Sequence, residues 1–264
     1  MNISEIIKII EDWAAPELMD DWDNSGLQYG SGKIELKGVL ITLDVTEEVL
    51  EFAVNNDLNL IISHHPLIFK GIKDLSLDTH QGRMTYKIIK EDISIYCSHT
   101  TLDLAAGGVS DVLADILEIV DTKPLGNSVD ITSGTPVGYG RIGRIEPVGI
   151  DKFSQMVKER LEVDVIKVYG KTEDLVRRVA VCGGSGADFI VAAKEAGAQV
   201  YITGDIKYHD AQLAVEQGII LMDAGHYYTE KPVLSAIKEK LIDNGADDLN
   251  IEIYPDVPFA AKLY

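Results

Sequence analysis

Cysteine is almost missing from this chain. Cys97 and Cys182 are the only two, far apart and outside any C-x-x-C spacing. A disulfide scaffold and a thiolate-type structural zinc site are thereby excluded, and a reducing compartment is the expected setting. Basic charge is also scarce: 24 Lys and Arg stand against 43 Asp and Glu, a formal net charge of −19 with His neutral. No Lys/Arg-rich run occurs, so a protein that tracks nucleic-acid phosphates is not expected. The acid excess also disfavours anionic membrane surfaces. No apolar run approaches the about 18 residues that suggest a membrane-spanning helix. Glu5 stands where a secretory leader carries its basic patch, and a cytoplasmic location is expected. Low-complexity linkers are missing too. The apolar share, 46%, is that of a globular chain, and 264 residues bury a large core without disulfide or metal support.

What the chain does contain is a repeated alternation of short apolar runs with amphipathic stretches. Ile3, Ile6, Ile7, Ile10 and Trp13 follow helical spacing, with Ser4 near a capping position. The segment DDWDNSGLQYGSG that follows reads as a loop. Strands are expected at 38–45, 58–63 and 93–98, with helices at 46–56 (capped by Thr46), 84–91 and 109–119. PVGYGRIGRIEP (136–147) reads as a bent strand or hairpin, 151–162 as a helix and 164–170 as a strand. The strand–helix rhythm then resumes from 177 to a final helix around PVLSAIKEKLIDNG. Helix, strand and SHHP in 47–66 are echoed by helix, strand and TGDIKYHD in 188–210. The expected fold is α/β: two similar, interleaved lobes, 1–125 and 126–264, with largely parallel mixed sheets.

Histidine is concentrated where such a fold binds ligands. His64, His65, His99, His209 and His226 all fall at or just past expected strand carboxyl ends, where open α/β sheets place their sites. A solvated loop His is the ordinary alternative for any one of them. Neighbouring residues on a regular strand face opposite ways, so His64 and His65 share a site only where the strand stops, or if each serves its own ion. Pro66 ends the ladder there. SHTTLDLAAGG (98–108) adds His99 and Asp103 on a strand-to-helix loop. DAGHYYTEKP (223–232) adds His226 and Glu230; Pro232 suggests a helix starting near Thr229, with His226 in the preceding loop. Imidazoles with carboxylates suit paired divalent ions and water chemistry, although Glu230 also complements a helix N-terminus.

WDNSG, SHHPLIF, SHTTLD with GGVSD, GDIKYHDAQ and DAGHYYTE, in that order, resemble the GTP cyclohydrolase 1 type 2 homolog family, the Nif-three-like dinuclear metal-centre proteins. The resemblance spans nearly the whole chain. It implies two divalent metal ions (Zn, Fe or Mn) held by His64, His65, Asp103, His226 and Glu230, with His99 a neighbour and not a ligand. It also implies a toroidal homohexamer with its sites facing an internal cavity, and at this length no inserted middle domain. Ser110 stands where many members have Asn. The implied activity is metal-dependent hydrolysis of a nucleotide-like small molecule, of cyclohydrolase or phosphoester type; the alternative is a non-catalytic metal-binding or regulatory interaction protein. His209 and His99 are the catalytic candidates. Asp205, Tyr208 and His209 either orient substrate and shuttle protons or brace their loop, and Asp44 is placed to orient a ligating His. GGSG (183–186) is a turn that either receives phosphate or only reverses the chain; no Walker A segment is present. The apolar residues of IYPDVPFAAKLY offer a surface for a neighbouring copy.

Overall fold

The computed structural model describes residues 1–126, 128, 129, 134 and 136–255. The chain begins with α1 (Ile3–Trp13), β1 (Gly26–Tyr29), β2 (Val39–Thr42), α2 (Glu47–Asn55), β3 (Leu60–Ser63), α3 (His80–Lys90) and β4 (Ser94–Cys97). It continues through α4 (Thr100–Leu104), α5 (Val109–Ile116), β5 (Val120–Leu125), the ribbon β6 (Ser128–Val129) and β7 (Pro136–Val137), then β8 (Gly140–Val148). Next come α6 (Ile150–Leu161), β9 (Lys167–Tyr169), β10 (Val176–Cys182), α7 (Ile190–Glu195), β11 (Val200–Thr203) and α8 (Tyr208–Gln217). β12 (Ile220–Asp223), α9 (His226–Glu230), α10 (Val233–Leu241) and β13 (Ile251–Ile253) complete it. Among the described residues no helix is long and apolar enough to cross a membrane.

These elements form two compact units: Met1–Leu102 with the chain from Leu234 onward, and Asp103–Val233. These bounds differ from the expected lobes 1–125 and 126–264. β13 pairs in parallel with β2, Ile251 opposite Val39, and so returns the C-terminal segment to the first unit. The stretch from Asp256 onward, proposed to pack on a neighbour, lies outside the described residues.

In the first unit the sheet order is β1-β4-β3-β2-β13. β4, β3, β2 and β13 run parallel, and β1 lies antiparallel on β4, Gly26 opposite Cys97. Every residue of β2, β3 and β4 is buried, as expected of parallel strands covered on both faces. Leu40, Ile61 and Ile95 pack with Val49 and Leu50 of α2 and Met84 and Ile88 of α3. α1 buries Ile3, Ile6, Ile7 and Ile10 as one helical stripe. Its cap is Asn2 and not Ser4: Glu5 N–H donates to Asn2 Oδ1 at 3.1 Å, and Asn2 N–H to Glu5 Oε2 at 2.6 Å. An Asn with a carboxylate three residues on satisfies two end donors at once. β1 falls inside the expected loop because its four residues carry little apolar pattern; the antiparallel edge of β4 recruits it.

In the second unit the order is β5-β8-β10-β11-β12-β9. β10, β11 and β12 are parallel; β5, β8 and β9 are antiparallel to their neighbours. Side chains alternate between two cores, which is the period-2 geometry of a strand. Val179, Val181, Ile202 and Met222 meet Leu113 and Phe153; Ala180, Tyr201 and Leu221 meet Ile190, Ala193 and Ala214. Each unit thus carries three adjacent parallel strands, β2-β3-β4 and β10-β11-β12, the basis of the sequence echo. In the second unit a buried Arg141 clamps the start of α5. Its guanidinium meets Asp111 at 2.5 Å (Nε–Oδ1) and 2.7 Å (Nη2–Oδ2), and donates to the carbonyls of Gly138 and Gly140.

Candidate metal centre

In the first unit the functional side chains emerge where β2, β3 and β4 end. The ladder persists past β3, since His64 N–H donates to Thr42 O and His65 N–H to Leu43 O. Ser63 Oγ then donates to His65 O at 2.9 Å, curling the chain before Pro66. The curl explains how adjacent residues converge: the His64 and His65 rings lie 5.0 Å apart, and His99 sits 5.3 Å from His64 and 5.6 Å from His65. One ring nitrogen from each of the three falls within 4.8 Å of the others.

What holds each ring decides what it can do. His64 Nδ1 lies 2.9 Å from Ser98 O, and His65 Nδ1 lies 3.0 Å from Asp44 Oδ1. Carbonyl and carboxylate oxygens only accept, so Nδ1 carries the proton and Nε2 the lone pair. This is the arrangement in which a histidine ligates a metal. Asp44 therefore takes the orienting position expected of it. His99 Nδ1 is held likewise by Asp23 Oδ1 at 2.8 Å.

Asp23, within WDNSG, is the residue the sequence left without a role. Besides His99 it accepts from Thr100 N–H (3.1 Å), Thr100 Oγ1 (2.7 Å) and Ser25 Oγ (2.7 Å). Burial pushes its carboxyl up, but these hydrogen bonds from His99, Thr100 and Ser25 more than offset that and hold it well below the usual carboxylate range. A depressed native pKa stabilises the fold above the ordinary value of about 4, and that contribution is lost as pH falls through and below it. The stability advantage of the wild type over Asp23→Asn is thus expected in full at pH 6 and shrinking below about pH 4. Urea unfolding across this range checks it; a difference independent of pH would refute the assignment.

In the second unit His226 and Glu230 lie at opposite ends of α9, not in separate loop and helix. Pro232, lacking an N–H, divides the segment into α9 and α10 after Glu230 instead of before it. His226 Nε2 is 3.1 Å from Glu230 Oε2, and its Nδ1 is 2.8 Å from Asp205 Oδ2. Both ring nitrogens thus face carboxylate oxygen, an arrangement that takes a cation. Gly184, at φ +67°, supplies the space: a Cβ there would overlap Glu230 Oε1 and stand 3.3 Å from His226 Nε2. Gly204 is constrained similarly, since a Cβ would overlap the His226 backbone nitrogen. Asp103 lies on the short helix α4, not on a loop. Cys182 reports its neighbourhood: burial, then the Asp103 charge, with Glu230 adding, pushes the thiol up to about 12. Asp103 and Glu230 thus both lie within electrostatic reach of Cys182.

The remaining candidates are placed differently. His209 is exposed in the first turn of α8, 3.4 Å from Gln212 Oε1, and is absent from the close donor sets among the described residues. Asp205 positions His226. A signal for this was present: Thr42-Leu43-Asp44 after β2 and Thr203-Gly204-Asp205 after β11 share a T-x-D pattern, and each Asp holds a His Nδ1. The GGSG segment is a plain turn. Gly183, Gly184 and Gly186 donate their N–H groups to Ser110, Thr229 and Thr203 hydroxyls, which commits the donors a phosphate needs.

The chain is 34% identical over 247 residues to the GTP cyclohydrolase 1 type 2 homolog of Clostridium perfringens, covering 91% of each. It is 38% identical over 246 residues to the homolog of the same description in Nostoc sp., again covering 91% of each. The crystal structure of a Bacillus cereus protein related to NIF3 superposes with a TM-score of 0.90 at 28% identity, over 99% of both chains. Reduced HcgD from Methanocaldococcus jannaschii gives 0.82 at 30% identity, over 96% of this chain and 97% of that one. The model of the Duf34/NIF3 (NGG1p interacting factor 3) family matches residues 1–256. The chain belongs to that family.

Proposed function

We propose that this protein is a metal-dependent hydrolase of a nucleotide-like small molecule, with two divalent ions held by His64, His65, Asp103, His226 and Glu230. The observation that supports it most is the capture of Nδ1 in all three imidazoles by Ser98 O, Asp44 and Asp205, which gives each Nε2 the ligating role. Imidazole with carboxylate suits zinc, iron or manganese. When bound, such a pair supplies electrophilic polarisation of the bond under attack and lowers the pKa of water. The chain's own residues do the rest. Asp44 and Asp205 orient the rings. His99, its Nδ1 committed to the ionised Asp23, exchanges a proton at Nε2, and His209 supplies a second proton-transfer or substrate-positioning group. We extend the proposal to a cytoplasmic, toroidal homohexamer.

Metal analysis of the reconstituted protein tests this directly. Two ions per chain are expected, with His65→Ala and Glu230→Ala each losing metal while remaining folded. Full occupancy in both variants would sink the ligand set, and a monomer by light scattering the assembly. A hydrolysis screen of nucleotides and phosphoesters, run on wild type, His99→Ala and His209→Ala, separates the roles. Metal-dependent ligand binding without turnover of any compound would favour a regulatory metal-binding protein.

A further inference from the structure

Trp22 and Phe69 are half-exposed, at 57% and 49%, and their ring centroids stand 6.0 Å apart at 54°. Trp22 also meets His99 in a T-shaped contact, 5.8 Å between centroids at 82°. It is thus one ring removed from His64 and His65. Two large aromatic surfaces left in water beside a cluster of imidazoles are not accounted for by the core, and neither belongs to the proposed ligand set.

Both aromatics sit on strapped segments. Trp22 occupies a turn closed by Asp23 N–H to Asp20 O at 3.0 Å. Asp23 ties that turn to Thr100 and His99, and Ser25 Oγ accepts from His99 N–H at 3.0 Å. The Phe69 segment is tied to the same loop: Ile68 N–H donates to Gln28 Oε1 at 3.0 Å, Gln28 Nε2 donates to Asn24 O at 2.8 Å, and Asn24 Nδ2 donates to Ile68 O. The rings are therefore held in place before any ligand arrives, which lowers the entropy cost of binding.

We infer that Trp22 and Phe69 form a stacking platform for a planar heteroaromatic ring of the ligand, and so set its specificity. Flat π-surfaces take flat rings in offset or edge-on contact, tolerant of the ring's exact identity. The charge around them assigns the rest of the ligand. Asp20 and Asp21 adjoin Trp22 and repel a phosphate, so the anionic part lies toward the metal side and the ring lies on the loop. The inference rests on the metal centre proposed above as the site it serves.

The test uses the full chain with Trp13→Phe, which leaves Trp22 as the sole indole. Guanosine 5′-monophosphate and ribose 5-phosphate are the probes, carrying the same anion with and without a base. In metal-loaded protein the nucleotide is expected to quench Trp22 and to bind at least about fivefold more tightly than the sugar phosphate. Calorimetry on Trp22→Ala should show that preference erased, with ribose 5-phosphate affinity and metal content unchanged; Trp22→Phe should retain most of it. Equal affinities in the wild type, or an undiminished preference in Trp22→Ala, would overturn the platform. So would a change of assembly mass in Trp22→Ala with the preference intact, which identifies a protein contact instead. Metal content read on the same samples separates the two proposals. Base preference without bound metal refutes the ligand set alone, and stoichiometric metal without base preference refutes the platform alone.

Discussion

Asp111→Ala is expected to destabilise the metal-stripped protein by about 3 kcal/mol, because it strands a buried guanidinium. Arg141 has a side chain only 6% exposed, and Asp111 takes two of its hydrogen bonds at 2.5 and 2.7 Å. Breaking a buried pair from one side costs about 3–5 kcal/mol. The partial exposure of Asp111 places this case at the low end. Asp111 Oδ2 also accepts from Gly107 N–H at 2.7 Å, so the variant loosens the turn ahead of α5 as well. For a chain of this size the expected fall in Tm is about 6–12 °C. Asp111→Leu combined with Arg141→Met should recover much of it, since the stranded charge and not the lost attraction carries the cost. A single variant within about 0.5 kcal/mol of wild type by urea unfolding would refute the clamp.

Asp44→Ala and Asp205→Ala should each weaken metal binding by about 10- to 100-fold while leaving the metal-stripped protein folded. Each carboxylate holds an Nδ1, at 3.0 Å on His65 and 2.8 Å on His226, and without it the ring loses both its tautomer and its aim. Asp44→Asn should fall between, because an amide oxygen still accepts a hydrogen bond but carries no charge. Chelator competition measures the affinity. Values within twofold of wild type for both alanine variants would show that the two carboxylates do not orient ligands.

Much of the site was legible because its residues cluster in short segments at strand ends, and the strands themselves are unbroken apolar runs. His64, His65, His99 and His226 were found that way, as was the partner of His65. Asp23 was not. It lies 76 residues from His99, and nothing in a local pattern distinguishes a carboxylate that accepts four hydrogen bonds from one in a solvated turn. The hold of Asp205 on His226 is not legible either, since at φ +57° its side chain turns back onto His226, a conformation that sequence spacing does not display. β1, β5 and β13 escaped for a different reason. They join their sheets as outer strands, where pairing with a neighbour already in place matters more than intrinsic apolar pattern. The same holds for the boundary of the first unit, which depends on the partner of a strand of three residues.

The discontinuity of that unit shapes how the protein emerges from the ribosome. Synthesis delivers α1 to β4 first, then the whole of Asp103–Val233, and only afterwards α10 and β13. Until Ile251–Ile253 are made, the flank of β2 that will carry them offers unpaired N–H and C=O groups on a strand with no exposed residue. At about 5–20 residues per second, the 209 positions from Thr42 to Ile251 hold that apolar edge open for about 10–40 seconds. A nascent chain of this kind is vulnerable to edge-to-edge pairing for the whole interval, a hazard at this flank of β2 that ends when β13 docks.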